Sequence, residues 1–258
     1  MRLQNGSRAA ALLALALLGC GSSGGSPAAV SACEAVLFED TPLTHCVADP
    51  ADHRIRTVLD APDGDPARSL AVLADIVPEP GKVAFAMNGG MFDADGNPIG
   101  YYVEDGERRH TLNRNEGGGN FHLMPNGVFY GTGGEWHVRT TEDFAETVDK
   151  RPEFATQSGP MLVIGGKLHP AFDADGESKK TRNAVGVDAA GRAHFVISEA
   201  PVSFGKLARY FRDRLETPNA LFLDGSVSQL WDPARGRMDG GPELGPLIVV
   251  ENRAKAAP

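Results

Sequence analysis

Lys82-Val83-Ala84-Phe85-Ala86-Met87, closed by Asn88-Gly89-Gly90-Met91-Phe92, is the stretch whose reading decides the fold. The apolar run is too short for a stable helix and is stopped by turn formers, so it predicts a fully buried strand. The same pattern recurs outward in both directions. Short apolar or alternating runs bounded by Gly, Pro or Asp predict strands at 35–38, 55–59, 100–103, 128–130, 161–164, 184–187, 194–198, 220–223 and 247–250. Helices are few. Asp65-Pro66 predicts an N-cap with Pro at the first helical position, ahead of Leu70, Leu73, Ala74 and Val77 on one face. Ser203 predicts a second cap, with Leu207, Ala208, Phe211 and Leu215 as the apolar stripe, and a third helix is expected at 141–148. Strands and helices do not alternate regularly, which excludes a doubly wound sheet and a (β/α) barrel. The expected class is α+β, a strand-rich mixed sheet core with a few flanking helices.

The 258 residues are 41% hydrophobic and 23% charged, which rules out a disordered or coiled-coil chain. Lys and Arg number 25 against 34 Asp and Glu, for a net charge of −9 with no contiguous basic run, so nucleic acid is not an expected partner. Arg2 and Arg8 lead into an apolar stretch, 9–18, that is too short to span a bilayer and reads as an export signal. It ends in Leu17-Leu18-Gly19-Cys20, which resembles a bacterial lipobox. The expected organisation is a lipoprotein signal peptide at 1–19, a Gly/Ser-rich tether at 20–32 beginning with lipidated Cys20, and one domain at 33–258. An ordinary signal peptide with an incidental cysteine is the competing reading. Lipid on Cys20 would hold the protein to the membrane of the bacterial cell envelope, on the periplasmic side. Export also places Cys33 and Cys46 in an oxidising space, so a disulfide is expected, against two unpaired buried thiols.

Polar residues at the ends of apolar strands are where chemistry is expected. The paired glycines Gly89 and Gly90 permit either a plain tight turn or an anion cradle made of main-chain N–H groups. Arg182 enters just ahead of the strand 184–187, and its planar donors suit two phosphate oxygens at once; a solvated strand-edge arginine is the alternative. Asp224 ends an apolar strand and is followed by Gly225 and Ser226. Partial burial there raises a carboxyl toward the range useful for acid or base work, although Asp-Gly is also a common turn. Glu199 ends the strand 194–198 in the same way and is the candidate second carboxylate. Asp93, Asp95, Asn97 and Glu104 loosely resemble a calcium loop, but Pro98 stands where that loop needs Gly. The seven histidines are scattered without ligand spacing, so neither a metal nor another cofactor is expected. Ser158 and Ser226 are candidate nucleophiles, yet neither lies in a Gly-x-Ser-x-Gly elbow.

In this order, Asn88-Gly89-Gly90-Met91-Phe92, Gln157-Ser158-Gly159-Pro160, Arg182-Asn183-Ala184-Val185-Gly186 and Leu223-Asp224-Gly225-Ser226 resemble the motifs of the phosphodiester glycosidase domain family, over roughly residues 53–250. Many members read Asp-Gly-Gly-Gly-Ser at the last motif, whereas this chain reads Asp224-Gly225-Ser226-Val227-Ser228, similar to a bacterial branch. The resemblance implies a hydrolase that cleaves a sugar-1-phosphodiester bond, of the N-acetylglucosamine-1-phosphodiester type, in envelope glycans or glycolipids. It implies that Arg182 clamps phosphate, that the Gly89 and Gly90 amides make a second anion contact, and that Asn88 donates to a hydroxyl or phosphate. Asn183, Ser158 and Ser226 become further substrate contacts. Asp224 and Glu199 become the acid/base pair, with Asp224 as base or nucleophile. Two other functions compete: a non-catalytic, lipid-anchored glycan-binding protein of the same fold, and a serine hydrolase using Ser158 or Ser226.

Overall fold

The computed structural model describes residue 1 and residues 30–254, so the expected signal peptide, Cys20 and residues 20–29 of the tether lie outside the described residues. Its strands form three sheets. In spatial order the first holds β1 (Cys33–Phe38), β2 (Thr41–Ala48), β13 (Ala193–Ser198), β12 (Asn183–Val187), β14 (Asn219–Phe222), β10 (Met161–Ile164) and β11 (Lys167–Leu168). The second holds β16 (Arg237–Met238), β15 (Leu230–Asp232), β4 (Val83–Asn88), β17 (Leu247–Asn252) and β3 (His53–Val58). The third holds β6 (Glu107–His110), β5 (Tyr102–Glu104), β9 (Phe154–Ser158), β7 (Gly127–Thr132) and β8 (Glu135–Thr140).

The α+β class is as expected, but the mixed core resolves into three antiparallel sheets. Tight returns such as Glu39-Asp40 and Gly133-Gly134, all at positive φ, can only reverse the chain. A parallel pair needs a crossover of a dozen or more residues. β4 is the strand expected at 82–87 and is buried along its whole length. Phe85 and Met87 enter one core cluster while Val83 and Ala86 enter another, which is why this strand does not alternate with polar residues. The three sheets meet at Phe85, Phe195 and Phe129, stacked edge to face at 5.3 and 5.6 Å between ring centroids. All three rings are fully buried, and truncating one to alanine costs about 3–5 kcal/mol.

Two of the three helices start where the sequence placed them. α2 (Thr141–Thr147) is capped by Thr140, and α3 (Phe204–Arg209) by Ser203, whose hydroxyl accepts from the Lys206 N–H at 3.2 Å. α1 (Leu70–Ile76) begins later than expected, because Ser69 and not Asp65 is its N-cap. The Asp65 carbonyl accepts from the Ala61 N–H at 2.8 Å and the Ala67 N–H donates to Leu59 O at 2.8 Å, so residues 61–67 are held in a turn. α3 lies on the outer face of the first sheet, where Leu207 and Ala208 pack with Ala184, Val196 and Phe222. The expected Cys33–Cys46 disulfide is formed between facing residues of β1 and β2. No helix among the described residues is long and apolar enough to cross a membrane.

Candidate active site

Four strand ends converge where the first two sheets touch, those of β4, β12, β14 and β15. β12 and β14 pair through Ala184 and Phe222, and the Leu223 N–H extends that ladder to Asn183 O at 3.1 Å. Arg182 precedes and Asp224 follows that ladder by one residue, and their side chains form no hydrogen bond or ion pair with each other. β4 arrives from the second sheet and locks the junction. Asn88 Nδ2 donates to Asp224 O at 2.7 Å, and the Asp224 N–H donates to Gly89 O at 3.1 Å. Asn88 Oδ1 in turn accepts from Asn183 Nδ2 and from the Gln229 N–H, each at 3.0 Å. Both asparagines are fully buried, and these amide contacts join four strand ends instead of facing an open cleft.

The anion cradle expected at Gly89 and Gly90 is not formed. The Gly89 N–H donates to Pro246 O at 2.7 Å and the Gly90 N–H to Thr156 Oγ1 at 3.0 Å, so neither is left for a ligand. Glycine is needed at Gly90 for a close approach: a Cβ there would lie 2.3 Å from Gln157 O. The alternative of a tight structural turn is the one the chain adopts. Thr156 and Gln229, both essential to this junction, carried no sequence signal beyond their neighbourhood to the motifs.

Asp224 is partly buried, and its carboxylate receives the Ser226 hydroxyl at 3.3 Å. It has no Lys or Arg partner among the described residues. Desolvation pushes its carboxyl above the ordinary aspartate value of 3.8, outweighing the opposing hydrogen bonds from Ser226. Gly225 admits no side chain, since a Cβ there would lie 2.6 Å from the Phe222 ring. Ser226 itself is exposed.

Arg182 is 2% exposed, far from the solvated strand-edge alternative. Nε donates to Val202 O at 2.9 Å, Nη2 to Ser178 O at 3.0 Å, and Cζ lies 3.5 Å from the centroid of the Phe204 ring. Burial lowers the guanidinium to about 10, which leaves it charged at neutral pH. No carboxylate pairs with it among the described residues. Nη1 has no hydrogen bond to the described residues.

Glu199 lies elsewhere. Its neighbour Ser198 shares the face of Arg182, as the 2.9 Å bond from the Arg182 N–H to Ser198 Oγ shows, so the pleat turns Glu199 to the opposite face. There Oε1 accepts from Thr44 Oγ1 at 2.5 Å and from Arg237 Nη1 at 2.6 Å, and Arg237 also binds Asp239 at 2.7 Å. Asp224 and Glu199 share no partner among the described residues. Ser158 is fully buried and its hydroxyl is unpartnered. It sits between two attachments of its segment, Thr156 to Gly90 and Pro160 O to the Phe222 N–H at 3.1 Å. The Asp93 loop is a turn in which Oδ1 accepts the N–H groups of Asp95 and Asn97 at 3.0 and 2.9 Å. No group of three or more His, Cys, Asp and Glu among the described residues is placed to hold a metal ion.

Comparison with known proteins gives the family. The family model described as phosphodiester glycosidase matches residues 81–234, from just before β4 to just after β15. The uncharacterized protein YigE of Escherichia coli (strain K12) is 34% identical over 205 residues, which is 79% of this chain and 80% of that protein. Among solved structures, the zebrafish N-acetylglucosamine-1-phosphodiester alpha-N-acetylglucosaminidase catalytic domain, auto-inhibited by its pro-peptide, superposes with a TM-score of 0.58 at 15% identity. That match covers 86% of this chain and 82% of the zebrafish chain. A hypothetical protein from Synechocystis gives a TM-score of 0.55 at 15% identity, covering 86% of this chain and 61% of its own. These structural likenesses concern the fold, while the sequence matches carry the assignment: the chain belongs to the phosphodiester glycosidase family.

Proposed function

We propose that the protein is an exported hydrolase, lipid-anchored through Cys20, that cleaves a sugar-1-phosphodiester of the N-acetylglucosamine-1-phosphodiester type in envelope glycans or glycolipids. The observation that carries this reading is the buried guanidinium of Arg182, which has no anionic partner among the described residues and lies at the end of the β12–β14 ladder that Asp224 follows. The desolvated Asp224 carboxylate likewise has no cationic partner among the described residues. A phosphodiester supplies the anion that Arg182 lacks, and charge-assisted bonds of this kind are the stronger class. The zebrafish enzyme of like fold bears a name that describes the same bond. The Cys33–Cys46 disulfide supports an oxidising compartment outside the cytosol.

On this reading Arg182 holds the phosphate through Nη1 while Asp224 accepts a proton from water. The water oxygen bonds to the anomeric carbon, the bond from that carbon to the phosphate oxygen breaks, and its electron pair leaves with the phosphate monoester. Such a leaving group needs little protonation, so the heavier demand falls on the base and on stabilising the oxocarbenium-like transition state. The raised carboxyl makes Asp224 a better base than an ordinary aspartate. Ser226 steadies its Oδ1, and the buried Ser158 hydroxyl is a further donor at the junction. Glu199, bonded to Arg237 and Thr44 on the opposite face, takes no part in this step.

Incubating the lipid-free protein with a panel of sugar-1-phosphodiesters, with free sugar read by mass spectrometry, tests the reading. Release of sugar from the diesters, but not from neutral glycosides, is the expected result. Binding without release would overturn it in favour of a glycan-binding protein.

A further inference from the structure

Arg182 is the end of a stack of rings that runs through residues distant in sequence. Its guanidinium carbon sits 3.5 Å from the Phe204 centroid. Phe204 is parallel to Phe172 at 5.0 Å and 7°, and Phe172 is stacked on His169 at 4.7 Å. Phe222 closes the side of Phe204 edge-on at 4.8 Å. The far end is fixed as well: His169 Nε2 lies 3.0 Å from Met124 O and Nδ1 accepts the Ala171 N–H at 3.2 Å, which defines one neutral tautomer. Phe204 is the first residue of α3, so the Ser203 cap fixes where its ring begins.

A buried arginine ordinarily gains its orientation from a carboxylate fork. Arg182 has none among the described residues, and main-chain carbonyls occupy only Nε and Nη2. These contacts and the Ser178 hydroxyl at 3.4 Å hold one edge of the group, while its face is held by the Phe204 ring at 3.5 Å and, farther off, by Phe222 at 5.4 Å. We propose that Phe204, backed by Phe172 and His169, is the positioning residue that holds the Arg182 plane so that its Nη1 edge meets an anionic group. This inference rests on the phosphodiester reading of the site.

The test compares Phe204→Leu, which keeps apolar bulk and removes the ring face, with Phe204→Tyr, which restores the ring. Two quantities are measured: the Kd for the methyl diester of N-acetylglucosamine 1-phosphate against that for neutral N-acetylglucosamine, and the NMR shift of the Arg182 Nε–H. Phe204→Leu should weaken diester binding about tenfold, the scale of a desolvated cation–π contact. It should leave the neutral sugar within about twofold and abolish the ring-current shift, and Phe204→Tyr should restore both readouts. Equal losses for diester and neutral sugar, or no recovery in Phe204→Tyr, would overturn the positioning role. The wild-type and Arg182→Ala proteins separate the two levels. If Arg182→Ala loses diester binding while Phe204→Leu keeps it, only the stack inference fails. If the wild type binds diester no better than neutral sugar, the phosphodiester reading fails and takes this inference with it.

Discussion

Asp224 and Glu199 both follow apolar strands of the same sheet, and in the sequence they look alike. In the folded chain they belong to different chemistry. Asp224 is desolvated and has no cationic partner among the described residues. Glu199, one residue past the partner of Arg182, faces the other way into a bridge with Arg237, its side chain 37% exposed. What separates a candidate base from a structural ion pair is the company each carboxylate keeps.

Substitutions can break or sharpen that contrast. The largest expected effect is on turnover in Asp224→Asn, a loss of at least about a hundredfold, the lower end for a positioned acid or base. Stability should move the other way. Because folding raises the Asp224 carboxyl above 3.8, ionisation weakens the native state as pH rises through that interval. Asp224→Asn should therefore melt at or above the wild-type temperature at pH 7, and its advantage should shrink below about pH 4. By the same sign, the acid limb of the wild-type rate profile should lie above the ordinary aspartate value. A rate that stayed flat down to that value would remove Asp224 as the base.

Arg182→Lys comes next, with about tenfold weaker diester affinity expected, since the ammonium keeps the charge but loses the planar edge and the ring contact. Titration with diester and neutral sugar side by side checks this, and equal losses for both would mean misfolding instead. Glu199→Gln should be the smallest change. Its activity should stay within about threefold of wild type, and the lost pair with Arg237, partly screened by solvent, should cost no more than about 1 kcal/mol by chemical denaturation. A hundredfold fall in turnover there would erase the distinction between the two carboxylates.

The sequence was most legible where one segment contained its own answer. The run at 82–87 needed no distant partner to be read as a buried strand, and Ser203 marked the start of α3 unaided. Thr44 and His45 give β2 no apolar alternation that would mark its extent. They are buried because Glu199 meets Thr44 and His194 meets His45 at 2.9 Å, contacts between residues about 150 apart in the chain. The site divides the same way. Motif order picked out Asp224 and Arg182, which flank the same end of the β12–β14 ladder. It also suggested free amides at Gly89 and Gly90, which the remote Pro246 and Thr156 claim. Phe204 has no sequence mark of a site residue, because its value lies in a ring face turned toward Arg182, which helix periodicity does not encode.

The claim that Asp224 drives water onto the anomeric carbon while Arg182 holds the departing phosphate can be tested in one measurement. Hydrolysis of the methyl diester of N-acetylglucosamine 1-phosphate is run in oxygen-18 water, and both products are weighed by mass spectrometry. The account expects the heavy oxygen in the released sugar and none in the phosphate monoester. Heavy oxygen in the phosphate would mean attack at phosphorus and would contradict it.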